Sequence, residues 1–106
     1  MEKIYELSEI LDKLEEENED NYFLDFLNTK NIEAGILRLH KDQPDTQSSH
    51  NADEIYYVIE GEGFIRINGK SHAVKKGTSI YIPSDVEHRF YGNKSDLTVL
   101  YVLVGK

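Results

Sequence analysis

The chain has 106 residues, 12 basic and 20 acidic, with a formal net charge of −8, and its 39% hydrophobic content suits one folded domain with its own core rather than a disordered chain. It has no cysteine, which excludes disulfides, thiolate metal sites and cysteine nucleophiles, and its acidity argues against nucleic acid as the main partner, since phosphate backbones are held by basic patches. No apolar run nears the ~20 residues of a membrane span, and the start Met1-Glu2-Lys3-Ile4-Tyr5-Glu6 lacks the basic and apolar regions of a signal peptide, so the expectation is a soluble cytoplasmic domain without a membrane partner.

The charge is unevenly spread. Residues 1–33 hold 11 acids and 3 bases, whereas residues 34–106 hold 9 of each. Within the acidic third, Ile4, Leu7, Leu11 and Leu14 recur at helical spacing, with Ile10 widening the stripe, which predicts an amphipathic helix that docks on the rest of the domain. The run Glu15-Glu16-Glu17-Asn18-Glu19-Asp20 should end it, because acids oppose the macrodipole at a helix C-terminus. Residues 1–20 are therefore read as helix and acidic linker, and residues 21–106 as a β domain.

From Tyr22 onward the pattern is of strands. Short apolar or alternating runs at 22–27, 32–40, 54–60, 64–68, 71–74, 78–82, 87–91 and 97–104 are separated by polar turns and by a long loop over 41–53. About eight such strands predict an all-β, antiparallel β-sandwich or barrel. The runs at 55–59 and 97–104 are apolar on both parities, so both faces need cover. One face is the interior. The N-terminal helix or a second subunit supplies the other, and Tyr57 is read as packing there; a homodimer is expected.

The chemistry centres on histidine and carboxylate, the usual ligands of Zn, Mn, Fe, Ni or Co where thiolate is absent. His50 precedes Glu54 by four residues at the entry to a strand, and His88 follows Pro83-Ser84-Asp85. Two histidines and a carboxylate also make the set of a facial triad with open positions. The other reading is a surface ion pair for His50 and Glu54, and a hydrogen-bonded barrel histidine for His88. His40 and His72 read as exposed, and Asp53 as a ligand-orienting or a turn residue. Strand parity places Glu54, Tyr56 and Val58 on one face and His88 with Phe90 on another. Tyr56 would then stand near the centre, able to hold a substrate oxygen or move a proton, or would be a core tyrosine with a satisfied hydroxyl.

These residues carry a resemblance to the cupin superfamily. His50, three residues, Glu54, six residues and Gly61 match the later part of its first motif; Gly77, five residues, Pro83 and then His88 match its second. The resemblance covers about residues 34–104 and implies a jelly-roll barrel. It implies that His50, Glu54 and His88 hold one divalent transition metal (Zn, Mn, Fe or Ni). Ser48 stands where the family has its first histidine, Asp42 and Asp85 where it has glycines, and Gly92 where it has asparagine. Gln47, Ser48 or water would fill the vacant ligand position. The implied function is action on a small polar molecule in the manner of family dioxygenases, isomerases and lyases, with Tyr56 as the candidate catalytic residue. The alternatives are a non-catalytic domain that binds or senses a small ligand, and a barrel that is structural only.

Overall fold

The computed structural model of the chain describes residues 2–17 and 21–105, so the end of the acidic run, residues 18–20, lies outside the described residues. The helix α1 (Leu7–Glu17) is followed by eight strands: β1 (Phe23–Asn28), β2 (Ile32–Leu39), β3 (Asp53–Glu60), β4 (Glu62–Ile67), β5 (Lys70–Lys75), β6 (Ser79–Ile82), β7 (His88–Tyr91) and β8 (Leu97–Val104). They form two antiparallel sheets, one of five strands in the order β1-β2-β8-β3-β6 and one of three in the order β5-β4-β7. This is the expected β-sandwich barrel with one short helix.

The period-two patterns dictate the layers. Along β3, Glu54, Tyr56 and Val58 are buried, and β7 turns His88 and Phe90 inward between them. Ile65 of β4 and Val99 of β8 close the same core. Burying such side chains is the main drive for the two sheets to close.

Helix α1 departs from expectation at both ends. Ile4 precedes it and is 87% exposed, so the buried face is Ile10 and Leu14 rather than the full stripe. The helix also runs on through the first glutamates of the acidic run. Arg38 and His40 explain this, since they stand 3.7 Å and 3.5 Å from the Glu15 carboxylate and offset its charge at the helix end. The helix packs on β1, where Tyr5 meets Phe26 at 4.7 Å between ring centres. It does not cover β3, whose outer residues Ile55 and Tyr57 remain 51% and 43% exposed. Tyr57 is therefore not packed against the helix.

Candidate metal centre

Three segments bring the site together. Glu54 enters on β3, His88 on β7, and His50 on the loop before β3. The turn before β7 is tied to the His50 loop: the Asp85 N–H donates to the His50 carbonyl at 2.8 Å, and the Ser84 N–H donates to Asp53 Oδ1 at 3.0 Å. Asp53 is thus a turn-tying residue. Asp85 adopts φ 65° and Asp42 φ 62°, left-handed conformations that suit glycine and that aspartate tolerates. That explains how these positions accommodate aspartate in place of glycine.

His50, Glu54 and His88 each offer a ligand atom within 4.8 Å of the others. His88 Nε2 is 3.2 Å, and His50 Nε2 3.9 Å, from Glu54 Oε1. Two ligands of one ion at about 2.1 Å stand roughly 3 to 3.5 Å apart, so the group is close to a coordinating arrangement. The Glu54 side chain is 1% exposed, and neither of its oxygens accepts a hydrogen bond of ordinary geometry, despite the close approach of His88. A buried carboxylate lacking donors is costly unless a cation meets it.

His88 Nδ1 donates to the Val86 carbonyl at 2.9 Å, which turns Nε2 toward Glu54 and Tyr56. In the neutral ring, Nε2 accepts the Tyr56 hydroxyl at 3.0 Å. Burial opposes the His88 imidazolium, but Glu54, the Val86 carbonyl and Asp45 outweigh it and raise the pKa above 6.5. The Tyr56 phenol is pushed well above 10, by burial first and by the Glu54 and Asp45 charges next, so it keeps its proton at neutral pH.

Gln47 lies beside this group, with Oε1 3.3 Å from His50 Nε2. Its orientation comes from Asp45, a buried carboxylate in the long loop. Asp45 Oδ1 accepts the Gln47 amide at 3.3 Å, the Gln47 N–H at 3.2 Å and the Tyr22 hydroxyl at 2.8 Å, while Oδ2 accepts the Phe90 N–H at 2.9 Å. An acceptor-only carboxylate takes the amide nitrogen and so aims the amide oxygen at His50. Ser48 is exposed at the rim. Among the predicted site residues, then, His50, Glu54, His88, Tyr56 and Gln47 come together. His40 instead pairs with Asp96 at 2.7 Å on the outer surface.

Sequence reasoning missed Asp45, because a lone acid in a polar loop has no periodic signature. It also missed Asn93, one place after the expected asparagine position, whose buried amide donates to the carbonyls of Leu39, His40 and Ser95 at 3.0 to 3.1 Å. Beside His50 a cleft of about 230 Å³ opens, walled by Tyr22, Phe23, Glu33 and Tyr101. Glu33 held a legible signal, since it shares the inward parity of Gly35 and the fully buried Leu37 on β2.

Comparison with known proteins follows the same lines. Residues 35–105 match the family model Cupin_2, a cupin domain. The uncharacterized protein SCO3923 of Streptomyces coelicolor is 35% identical over 94 residues, 87% of this chain and 90% of that protein. The dimethylsulfoniopropionate lyase DddW of Ruegeria pomeroyi is 35% identical over 52 residues, 49% of this chain and 34% of that protein. Among solved structures, the plu4264 protein of Photorhabdus luminescens superposes with a TM-score of 0.71 at 27% identity, covering 79% of this chain and 74% of that one.

Proposed function

The chain belongs to the cupin-domain family, and we propose that it holds one divalent transition metal through His50, Glu54 and His88 and acts on a small polar molecule. The observation that carries this reading is the Glu54 carboxylate, buried with neither oxygen in a hydrogen bond of ordinary geometry and flanked by two imidazole nitrogens. Gln47 is the proposed fourth ligand, through its amide oxygen. A bound divalent ion there supplies Lewis acidity toward a ligating carbonyl or carboxylate oxygen. Of the dioxygenase, isomerase and lyase types, the partial similarity to a protein named as a lyase supports the last.

The chain's own side chains have distinct parts in this reading. The Val86 carbonyl fixes the His88 tautomer with Nε2 inward. The Tyr56 hydroxyl, uncharged at neutral pH, donates a hydrogen bond or a proton to an oxygen of the bound molecule. Phe90 packs edge-on against the Tyr56 ring at 4.9 Å and closes the inner side to water. Solvent and ligand reach the group past Gln47 and His50.

Thermal melting with and without added Mn, Fe, Ni or Zn tests the proposal. Wild-type protein and Tyr56→Phe should both melt higher with metal, because an ion that binds only the native state stabilises it. Glu54→Gln, which keeps the volume and loses the charge, should not respond. Equal shifts in wild type and Glu54→Gln would place the ion elsewhere.

A further inference from the structure

We propose that a groove on the outer face of the three-stranded sheet binds an aromatic phosphate monoester, the chemistry of a nucleotide or of a smaller aryl phosphate. The site is independent of the metal reading. Phe64 points outward from β4, whereas His88 pairs with Ile67 three residues further along that strand and points into the barrel.

Phe64 carries the first part of the argument. Its ring is 42% exposed and lines a groove of about 540 Å³, a volume suited to a small molecule. On the β7 side it stacks on Tyr91, with ring centres 5.5 Å apart and an interplanar angle of 26°. Tyr91 is itself fixed, since its hydroxyl donates to Ser71 Oγ across β4 at 2.6 Å. On the β5 side the cross-strand neighbour of Phe64 is Ala73, too small to cover the ring. Gly92 gives the ring its room: φ there is 71°, and a Cβ would sit 3.0 Å from Phe64 Cδ2. Phe64 therefore offers an open surface on which a second flat ring can stack.

Two lysines carry the second part. Lys75 and Lys94 line the groove from the turns that flank it, after β5 and after β7. Hydrogen bonds hold both turns. The Lys75 N–H donates to Thr78 Oγ1 at 3.0 Å and the Gly77 N–H to the Val58 carbonyl at 2.8 Å, while the buried Asn93 amide donates to the Ser95 carbonyl at 3.0 Å. Among the described residues neither lysine is in an ion pair. Glu62 is the groove's one acid, so its lining is net positive although the chain as a whole is at −8. Arg66 and Arg89, opposite each other in register on the same sheet face, add to that field. Two ammonium groups match a phosphate monoester, which carries about −1.5 to −2 at neutral pH, and lysine meets phosphate as a point charge. The Thr78 hydroxyl accepts the Lys75 N–H and keeps its own hydrogen for a phosphate oxygen.

Calorimetric titration of the full chain in EDTA tests the proposal with four probes: AMP, phenyl phosphate, adenosine and inorganic phosphate. At least one of the two aromatic phosphates should bind about tenfold more tightly than adenosine or inorganic phosphate, because it alone engages both ring and lysines. Tighter binding of AMP assigns a nucleotide, and tighter binding of phenyl phosphate a smaller aryl phosphate. Phe64→Leu, Lys75→Gln and Lys94→Gln, each folded by circular dichroism, should weaken that probe by about fivefold. Gly92→Asn, a side chain that a left-handed φ tolerates, should weaken it as well by crowding the Phe64 ring. His88→Ala should leave it unchanged. No saturable binding of either aromatic phosphate, equal binding of adenosine or inorganic phosphate, wild-type affinity in both lysine variants, or loss of binding in His88→Ala would overturn the proposal.

Discussion

At Gln47 the site turns on a single amide. The residue that the cupin pattern leads one to expect two places before His50 is a histidine, and here it is Ser48, exposed at the rim. The neighbouring amide is the one that reaches inward, because Asp45 takes its nitrogen and leaves its oxygen 3.3 Å from His50 Nε2. A side chain held in this way contributes more to an ion than a serine hydroxyl that must turn in from solvent. Gln47→Ala should therefore weaken metal affinity by roughly tenfold, in the range seen for groups that orient or complete a site, while Ser48→Ala should change it little. Competition against a chromophoric chelator measures both. Equal and negligible effects would mean that water completes the coordination. At this scale the two motifs made His50, Glu54 and His88 legible, because their spacings survive in the chain. Asp45 was not legible. Its role depends on meeting Tyr22 and Phe90, residues 23 and 45 positions away, and only the closed barrel makes those contacts.

Among the elements, the strands were legible nearly throughout, since each is bounded by turn residues and is either alternating or uniformly apolar. Helix α1 was legible in kind but not in extent. Its C-terminal limit depends on charges from a strand more than 20 residues on, where Arg38 and His40 face Glu15 and where Arg38 also reaches Glu60 at 2.7 Å. The cover of β3 was misjudged for a similar reason. Hydrophobicity shows that a face needs a partner and does not say which one. The stability of the surface around His40 should depend on pH. The hydrogen bond that the His40 ring donates to Asp96, with the Asp96 and Glu15 charges, raises the His40 pKa above 6.5. Its contribution is thus fully present below 6.5 and is lost as the pH rises through the higher folded-state value. The effect is small, since the imidazole is half exposed. Denaturation midpoints from about pH 6 to about pH 8 should fall more steeply for wild type than for His40→Gln. Parallel profiles would show that the His40 pairs with Asp96 and Glu15 contribute nothing to stability.

For the whole molecule, the outer face of the five-stranded sheet divides in two. The helix packs on the β1 side, while Ile55, Tyr57, Tyr81 and Val104 lie exposed on the β3, β6 and β8 side. Register places Ile55 between Tyr81 and Val102 across the sheet, so these apolar side chains form one contiguous surface. A second copy of the chain is the expected cover, since contiguous exposed apolar area marks an interaction surface. Light scattering at micromolar concentration should report a dimer for wild type and a monomer for Tyr57→Arg. A wild-type monomer contradicts this assembly.

The account as a whole rests on one point, that the barrel closes around a metal. His88 tests it best. It is the member farthest in sequence from His50 and Glu54, and it joins them only because β7 pairs with β4 and the turn at Asp85 is tied to the His50 loop. Equilibrium dialysis against Mn, Fe, Ni and Zn in turn, followed by metal analysis, should find one ion per chain in the wild type for at least one of them. His88→Ala, with an unchanged β-rich far-ultraviolet spectrum, should hold none, because the two ligands that remain compete poorly with water. Stoichiometric metal in folded His88→Ala, or no metal in the wild type with any of the four, would contradict the claim.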